Sequence, residues 1–136
     1  MRILFDSSIW VSYFHLHDVN HQTANLLISN ALAERAEIVV PEIVYIEVMN
    51  AVWRLSGDKR NVERCKRVFQ HGMPFIKLVR GDESFWFSAI EEIMEKVSLR
   101  ATDLIIVAYA ISYRVDRFET FDRMLQREKS RLHTPL

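Results

Sequence analysis

The sequence predicts an α/β domain built around a central, mainly parallel sheet. Short apolar runs typical of strands alternate with longer amphipathic segments typical of helices along the chain. The first two strand candidates, residues 3–5 and 38–40, are continuous apolar runs, the pattern of strands buried on both faces of a parallel sheet. A chain of 136 residues can bury one ordinary core, so we expect a single domain over residues 1–136.

The first half of the chain is predicted to hold two strands and four helices. Asp6 ends the first apolar run, and the apolar residues that follow it return at helical spacing. Pro41 stops the second strand, and Gly57 ends the next helix as a glycine stop. The predicted elements are a strand over 3–5, helices over 9–14 and 23–34, a strand over 38–40, and helices over 42–55 and 58–71.

The second half of the chain again alternates predicted strands with predicted helices. Pro74 and Gly81 bracket an apolar run that predicts the third strand, and Arg117 and Glu119 make the fourth strand candidate unusually polar. The predicted elements are strands over 75–79 and 117–120 and helices over 83–96, 102–114 and 123–128.

Composition excludes several classes of protein. Eighteen basic residues balance eighteen acidic ones, so the overall charge does not indicate a nucleic-acid partner, and only local patches could do so. The longest apolar run, residues 104–111, is far shorter than the ~20 residues of a membrane-spanning helix, so no membrane partner is expected. Cys65 is the only cysteine, which excludes an intramolecular disulfide and fits a cytoplasmic protein.

Four carboxylates stand at the edges of otherwise apolar elements. Asp6 and Asp122 follow strands, Asp103 opens the most apolar helix, and Glu47 lies on the polar stripe of the 42–55 helix. Ligands of open parallel sheets bind at the carboxyl ends of the strands, where these acids can converge. Clustered acids repel one another unless a cation joins them, and carboxylate oxygens suit Mg²⁺ or Mn²⁺. The sequence therefore predicts one divalent-metal site formed by the four acids.

Each acid also has a simpler explanation. Asp6 and Asp122 could cap the helices that follow them, and either Thr102 or Asp103 could cap the next helix. Glu47 could face solvent together with the rest of its stripe, which comprises Ile43, Asn50 and Arg54. One shared site explains all four positions more economically than four separate coincidences.

Other chemistries fit the sequence less well. The histidines between residues 15 and 21 lie in a polar loop without an accompanying pair of ligands, which disfavours zinc. Cys65 lies within a predicted helix and is expected to be inert. The three glycines are too far apart to form a phosphate-binding loop.

Four segments together resemble PIN-domain proteins, and in particular the small VapC-type ribonuclease toxins of prokaryotic toxin-antitoxin pairs. They are Asp6-Ser7-Ser8, the Glu47 helix after Pro41, the segment 101–108, and Thr120-Phe121-Asp122. The resemblance covers essentially the whole chain in order. It implies a PIN-like α/β/α sandwich and Mg²⁺ or Mn²⁺ held by Asp6, Glu47, Asp103 and Asp122. It also implies that the hydroxyls of Ser8 and Thr120 support the acids.

The same resemblance implies a function. We expect a metal-dependent endoribonuclease that hydrolyses RNA phosphodiester bonds, forms homodimers and is inhibited by a VapB-like antitoxin. By their placement, Arg114, Arg123 and Arg127 are the cations expected to touch substrate phosphates. The alternative is a non-catalytic PIN-like module that binds RNA or serves RNA processing. A structure-specific DNA nuclease is disfavoured because the chain leaves little room for substrate-threading elements.

Overall fold

Four parallel strands form one sheet in the order β3-β2-β1-β4 in the computed structural model, which describes residues 1–72 and 74–130. The strands are β1 (Arg2–Phe5), β2 (Glu37–Pro41), β3 (Ile76–Val79) and β4 (Arg117–Glu119). In the registers, Leu4 lies opposite both Val39 and Phe118, and Val40 lies opposite Leu78. The predicted α/β fold with a parallel sheet is confirmed.

Seven α-helices flank the sheet in the described part of the chain. They are α1 (Ser7–Phe14), α2 (His21–Ala33), α3 (Glu42–Ser56), α4 (Lys59–Arg67), α5 (Ile90–Met94), α6 (Ala101–Ser112) and α7 (Arg123–Lys129). α1 packs against α2 and α3, and α6 packs against α3 and α5. None of the described helices is long and apolar enough to cross a membrane.

Two predicted helices contain π-helical turns that the sequence does not reveal. The 58–71 helix becomes α4 followed by a π-helical segment over Val68–Gly72, and the 83–96 helix becomes a π-helical segment over Phe85–Ala89 followed by α5. Each segment carries a buried ring: the centroid of Phe69 lies 4.8 Å from that of Trp10, and Phe85 stacks on Tyr109 at 4.2 Å. A π turn changes the spacing of such anchors, which apolar periodicity alone does not specify.

The central strands hold the start of α1 rigidly. All three residues Ile3-Leu4-Phe5 are fully buried, and the Trp10 ring on α1 meets the Phe5 ring edge to face at 5.9 Å. Asp6 lies between this strand and this helix, and only 5% of it is exposed. The packing therefore leaves Asp6 little freedom to move.

The polar character of β4 follows from its place at the edge of the sheet. Phe118 is buried, whereas Arg117 and Glu119 are half-buried and form an ion pair at 3.3 Å. Charged side chains are common on edge strands because they discourage pairing with other chains. On α7, Lys129 Nζ donates to the Phe118 carbonyl oxygen and Gln126 Nε2 donates to the Thr120 carbonyl oxygen, both at 2.7 Å. These bonds fix the end of β4.

The glycine stop after α3 is confirmed. Gly57 has φ of 59°, in the left-handed region that favours glycine, and its N–H donates to the Trp53 carbonyl oxygen at 2.8 Å. This stop ends α3 two turns beyond Glu47.

Candidate functional site

Asp6 is the most constrained of the four acids. Its Oδ1 accepts a hydrogen bond from the Ser7 N–H at 2.7 Å. Its Oδ2 accepts from the hydroxyls of Ser8 at 3.0 Å and Thr120 at 2.8 Å. Asp6 therefore caps α1, as the simpler explanation holds, and is also oriented by two hydroxyls that capping does not require.

The two hydroxyls also tie the end of β4 to Asp6. Thr120 Oγ1 accepts from the Asp122 N–H at 3.0 Å, and Ser8 Oγ accepts from the Phe121 N–H at 3.1 Å. Each hydroxyl thus donates to the carboxylate and accepts from a backbone N–H, which uses both its functions. Ser8 and Thr120 lie where residues supporting the acid are expected.

Glu47 connects to Asp6 through Ser7. Glu47 Oε1 accepts a hydrogen bond from Ser7 Oγ at 2.9 Å, while the Ser7 N–H donates to Asp6 Oδ1. Partial burial raises the pKa of Glu47; the bond from Ser7 opposes this rise, and the charges of Asp6 and Asp103 add to it. In the sequence, Ser7 was named only as part of the segment Asp6-Ser7-Ser8. Its position next to Asp6 in a first helical turn was the available signal for this bridging role.

Asp103 is not the helix cap that the simpler explanation requires. Arg100 occupies the cap position of α6 and neither Thr102 nor Asp103 does, because the helix begins at residue 101, earlier than predicted. Burial raises the pKa of Asp103, the charges of Asp6 and Asp122 raise it further, and Arg100 lowers it. The Asp103 carboxylate therefore stands in the first turn of α6 facing other acids.

Asp122 is the most peripheral acid. Its Oδ1 accepts from the N–H groups of Met124 at 2.8 Å and Leu125 at 3.1 Å, so it caps α7. Its side chain is exposed, yet its charge still acts on Asp103. Electrostatic interactions thus link all four predicted acids at the carboxyl edge of the sheet.

A cleft of about 460 Å³ opens beside these acids. It is lined by Ser7, Ser8, Val11, Ser12, Asp18, Asn20, Glu47, Asn50, Ala51, Arg54 and Phe121. The polar stripe of α3 therefore borders a cleft rather than open solvent. Arg54, which the sequence placed on this stripe without a function, is the cation of this lining.

The three arginines expected to bind substrate differ in position. Arg123 and Arg127 lie exposed on α7, directly after Asp122 and one turn further on. Arg114 follows the far end of α6, ~17 Å along the helix from Asp103 at 1.5 Å per residue. The neighbouring Asp116 N–H donates to the Arg2 carbonyl oxygen, at the start of β1. The structure thus places Arg114 at the opposite edge of the sheet, because α6 runs antiparallel to the strands.

The donor set suits a hard divalent cation. In residues 1–72 and 74–130, no three acid, histidine or cysteine side chains are close enough to hold one ion directly. Mg²⁺ is usually held by one or two carboxylates while it keeps several waters, so a close trio is not required. Burial raises the pKa values of Glu47 and Asp103, and the charges of neighbouring acids, which a cation would offset, add to the rise. One or two of the carboxylates of Asp6, Glu47 and Asp103 would suffice to hold Mg²⁺ or Mn²⁺ together with waters.

Cys65 offers no competing nucleophile. It is fully buried in α4, and burial raises the pKa of its thiol to about 12. The reactive thiolate is therefore scarce at neutral pH, in agreement with the sequence interpretation.

Three solved structures share this fold at low sequence identity. Mycobacterium tuberculosis VapC20, a toxin that cleaves the sarcin-ricin loop, is 16% identical with a TM-score of 0.71, over 92% of this chain and 93% of that one. FitAcB from Neisseria gonorrhoeae is 18% identical with a TM-score of 0.70, over 96% and 99%. VapBC2 from Rickettsia felis, bound to a DNA fragment from its promoter, is 19% identical with a TM-score of 0.67, over 93% and 92%.

Comparison with curated proteins finds no match. At these identities the solved structures establish the fold alone. The sequence model of the PIN domain matches residues 3–130, which is nearly the whole chain. The chain therefore belongs to the PIN-domain family.

Proposed function

We propose that this PIN-domain protein is a metal-dependent endoribonuclease, the toxin of a VapBC-type toxin-antitoxin pair. The main support is the acidic cluster at the carboxyl edge of the sheet, where Glu47 and Asp103 carry raised pKa values beside the buried Asp6. An isolated fold would gain nothing from placing like charges together at the mouth of a cleft. A site that binds a cation and a phosphodiester would gain from this arrangement.

In this proposal Asp6, Glu47 and Asp103 hold Mg²⁺ or Mn²⁺, with Asp122 as a peripheral fourth acid. The bound cation would activate water for attack at phosphorus and neutralise charge on the leaving oxygen. Thr120 holds Asp6 in one orientation through its buried hydroxyl, at 2.8 Å. Such fixed ligands need no rearrangement during the reaction, which is the benefit of a preorganised site.

The surroundings of the acids suit an RNA strand. Phe121 is half-buried and lines the cleft, where its ring could stack on a base. Arg123 is exposed beside Asp122, and Arg127 extends the same positive surface along α7. Cations at this edge would offset the repulsion between the acids and a polyanionic substrate.

The first experiment is a cleavage assay on RNA. Purified protein should cut RNA with Mg²⁺ or Mn²⁺, leave 5′-phosphate and 3′-hydroxyl ends, and lose activity in chelator. Asp103→Asn should abolish cleavage while the circular dichroism spectrum stays that of a folded protein. Cleavage that persists at full rate in chelator or in Asp103→Asn would refute the proposal.

The toxin assignment predicts a partner. We propose a cytoplasmic homodimer that is neutralised by a VapB-like antitoxin, and the similarity to VapBC2 and FitAcB supports the antitoxin partner. A small reading frame adjacent to the gene would be the candidate antitoxin. Its product, co-expressed, should relieve growth arrest and elute with this chain in size-exclusion chromatography. Growth arrest that the co-expressed product leaves unchanged would count against the pairing.

A non-catalytic RNA-binding or RNA-processing module remains the second candidate. It is favoured by the absence of a close trio of ligands in the described residues and by the capping bonds of Asp122. Titration of Mn²⁺ followed by calorimetry separates the two. An endoribonuclease should bind Mn²⁺ saturably and lose this binding in Asp103→Asn, whereas a module without a metal site should show neither effect.

A further inference from the structure

Arg54 stands in an unusual position for a surface cation. It is exposed in the last turn of α3 and lines the same cleft as Glu47. Among the described residues its guanidinium makes no ion pair or hydrogen bond, although Asp18 lines the same cleft. A free guanidinium beside an acidic site is available for an anion.

The helix geometry aligns Arg54 with the acidic cluster. Seven residues after Glu47 correspond to nearly two turns, so both side chains leave α3 within ~20° of each other. They are separated by ~10 Å along the helix axis at 1.5 Å per residue. Asn50 lies between them on the same stripe and also lines the cleft. The cleft therefore runs from an acidic end to a cationic end.

We propose that the RNA strand runs along α3 and that Arg54 binds a phosphate flanking the one to be cleaved. This inference rests on the proposed function and gives the direction in which the bound RNA strand extends from the acidic site. A guanidinium binds phosphate through paired N–H donors, which would hold the strand in register with the acids. Arg54 is thus a positioning residue: it contacts the substrate away from the reacting atoms.

A simpler role for Arg54 must be separated from this one. A cation in the last turn of a helix is favoured by the helix dipole wherever it lies. Arg67 provides the matched control, because it is also an exposed arginine in the last turn of a helix, α4, and is not part of the cleft lining. Arg54→Ala and Arg67→Ala remove the same charge from an exposed position in the last turn of an α-helix, although α4 continues into the π-helical segment and α3 ends at Gly57.

The test measures RNA binding and cleavage separately. Binding of a short single-stranded RNA is measured by fluorescence anisotropy in the Asp103→Asn background, which should not cleave it. Arg54→Ala should weaken binding about tenfold and reduce the slope of log K against log salt by about 0.7, the value for one phosphate contact on a single strand. Arg54→Lys should recover part of the loss because it keeps the charge without the paired donors.

In the cleaving protein, Arg54→Ala should raise KM about tenfold and leave kcat within twofold. Binding of Arg54→Ala equal to that of Arg67→Ala would overturn the inference, as would a fall in kcat with unchanged KM. Arg54→Gln serves as a second substitution, and thermal unfolding checks that both variants fold. If the wild-type protein binds RNA through Arg54 but never cleaves it, the proposed nuclease function fails and only the contact between Arg54 and an RNA phosphate stands.

Discussion

Acidic residues at the two ends of the parallel sheet differ in the partners that they contact. At the amino edge, acids have cationic or N–H partners: Glu37 lies 3.0 Å from Arg2 Nε, and Asp116 accepts the Arg2 N–H at 2.7 Å. Glu34 lies 3.8 Å from the Arg117 guanidinium at the same edge. These acids form ordinary surface ion pairs and hydrogen bonds.

At the carboxyl edge the four candidate acids lie near one another, although Glu42 at the same edge pairs with Arg80 at 3.7 Å. The groups that contact Asp6 and Glu47 are N–H groups and hydroxyls of Ser7, Ser8 and Thr120, not cations. Hydroxyls orient a carboxylate without cancelling its charge. Under the proposed function, the candidate acids of the carboxyl edge hold a charge that a bound cation would complete, at some expense in stability.

The largest effect that follows from this contrast concerns activity. Asp6→Asn should reduce metal-dependent RNA cleavage by at least about 100-fold, because removal of a charged metal ligand removes several kcal/mol of transition-state stabilisation. Steady-state cleavage rates measure it. Asp116→Asn at the amino edge removes the same charge and should change the rate less than twofold. Equal losses in the two variants would remove the functional distinction between the edges.

The hydroxyl that joins β4 to Asp6 should matter for both stability and activity. Thr120→Val preserves shape but leaves the part-buried Asp122 N–H and the buried Asp6 Oδ2 each short of one partner. We expect a loss of about 1–3 kcal/mol in unfolding free energy, measured in urea, and a lower cleavage rate.

The control for that substitution is Thr102→Val. Thr102 is exposed on α6 and does not cap the helix. Its replacement should change stability by less than about 0.5 kcal/mol. A similar cost at both threonines would mean that the change from Thr to Val itself, not the contact with Asp6, is responsible.

The fold and the acids of the site were predictable because their signals are local. Continuous apolar runs at residues 3–5 and 38–40 predict buried parallel strands without reference to the rest of the chain. An acid directly after such a strand, as at Asp6, then lies at the carboxyl edge by topology alone. Helical periodicity predicted that the polar stripe of α3 faces either a cleft or solvent, but it could not decide between the two.

The remaining details depend on tertiary neighbours. The bond from Ser7 to Glu47 needs α1 and α3 to pack side by side, and the start of α6 at residue 101 has no side-chain cap to mark it. Arg114 was expected by its placement to touch substrate phosphates, but the direction of α6 carries it to the other edge. Neither helix direction nor a π turn is encoded in the apolar pattern.

The metal-free stability of the two edges should respond differently to pH. The folded-state pKa values of Glu47 and Asp103 are raised, so the folded protein binds protons more tightly than the unfolded chain. The stability that these groups contribute is present below their unfolded pKa and is lost as the pH rises through the raised folded value. In chelator at pH 7, Asp103→Asn should therefore melt a few degrees above the wild type.

That gain should disappear as the pH falls below about 4, where the wild-type carboxyl is itself protonated. It should shrink or reverse when Mg²⁺ is added, because only the wild type gains stability from binding the ion. Differential scanning calorimetry at several pH values, with and without Mg²⁺, measures both changes. An Asp103→Asn variant that melts below the wild type in chelator at pH 7 would contradict the assignment of repulsion to this edge.

The smallest effect belongs to the amino edge. Glu37→Gln removes an ion pair with Arg2 whose side chains are 37% and 43% exposed, and exposed pairs contribute less than about 1 kcal/mol. The variant should be slightly less stable than the wild type at low salt, with a smaller difference at high salt. Glu47→Gln is the same substitution at the carboxyl edge and should raise stability in chelator, because it relieves desolvation and repulsion. Urea unfolding of both variants measures the effect of the same substitution at each edge. If both variants change the free energy of unfolding in the same direction, the two edges do not differ in how a carboxylate affects stability.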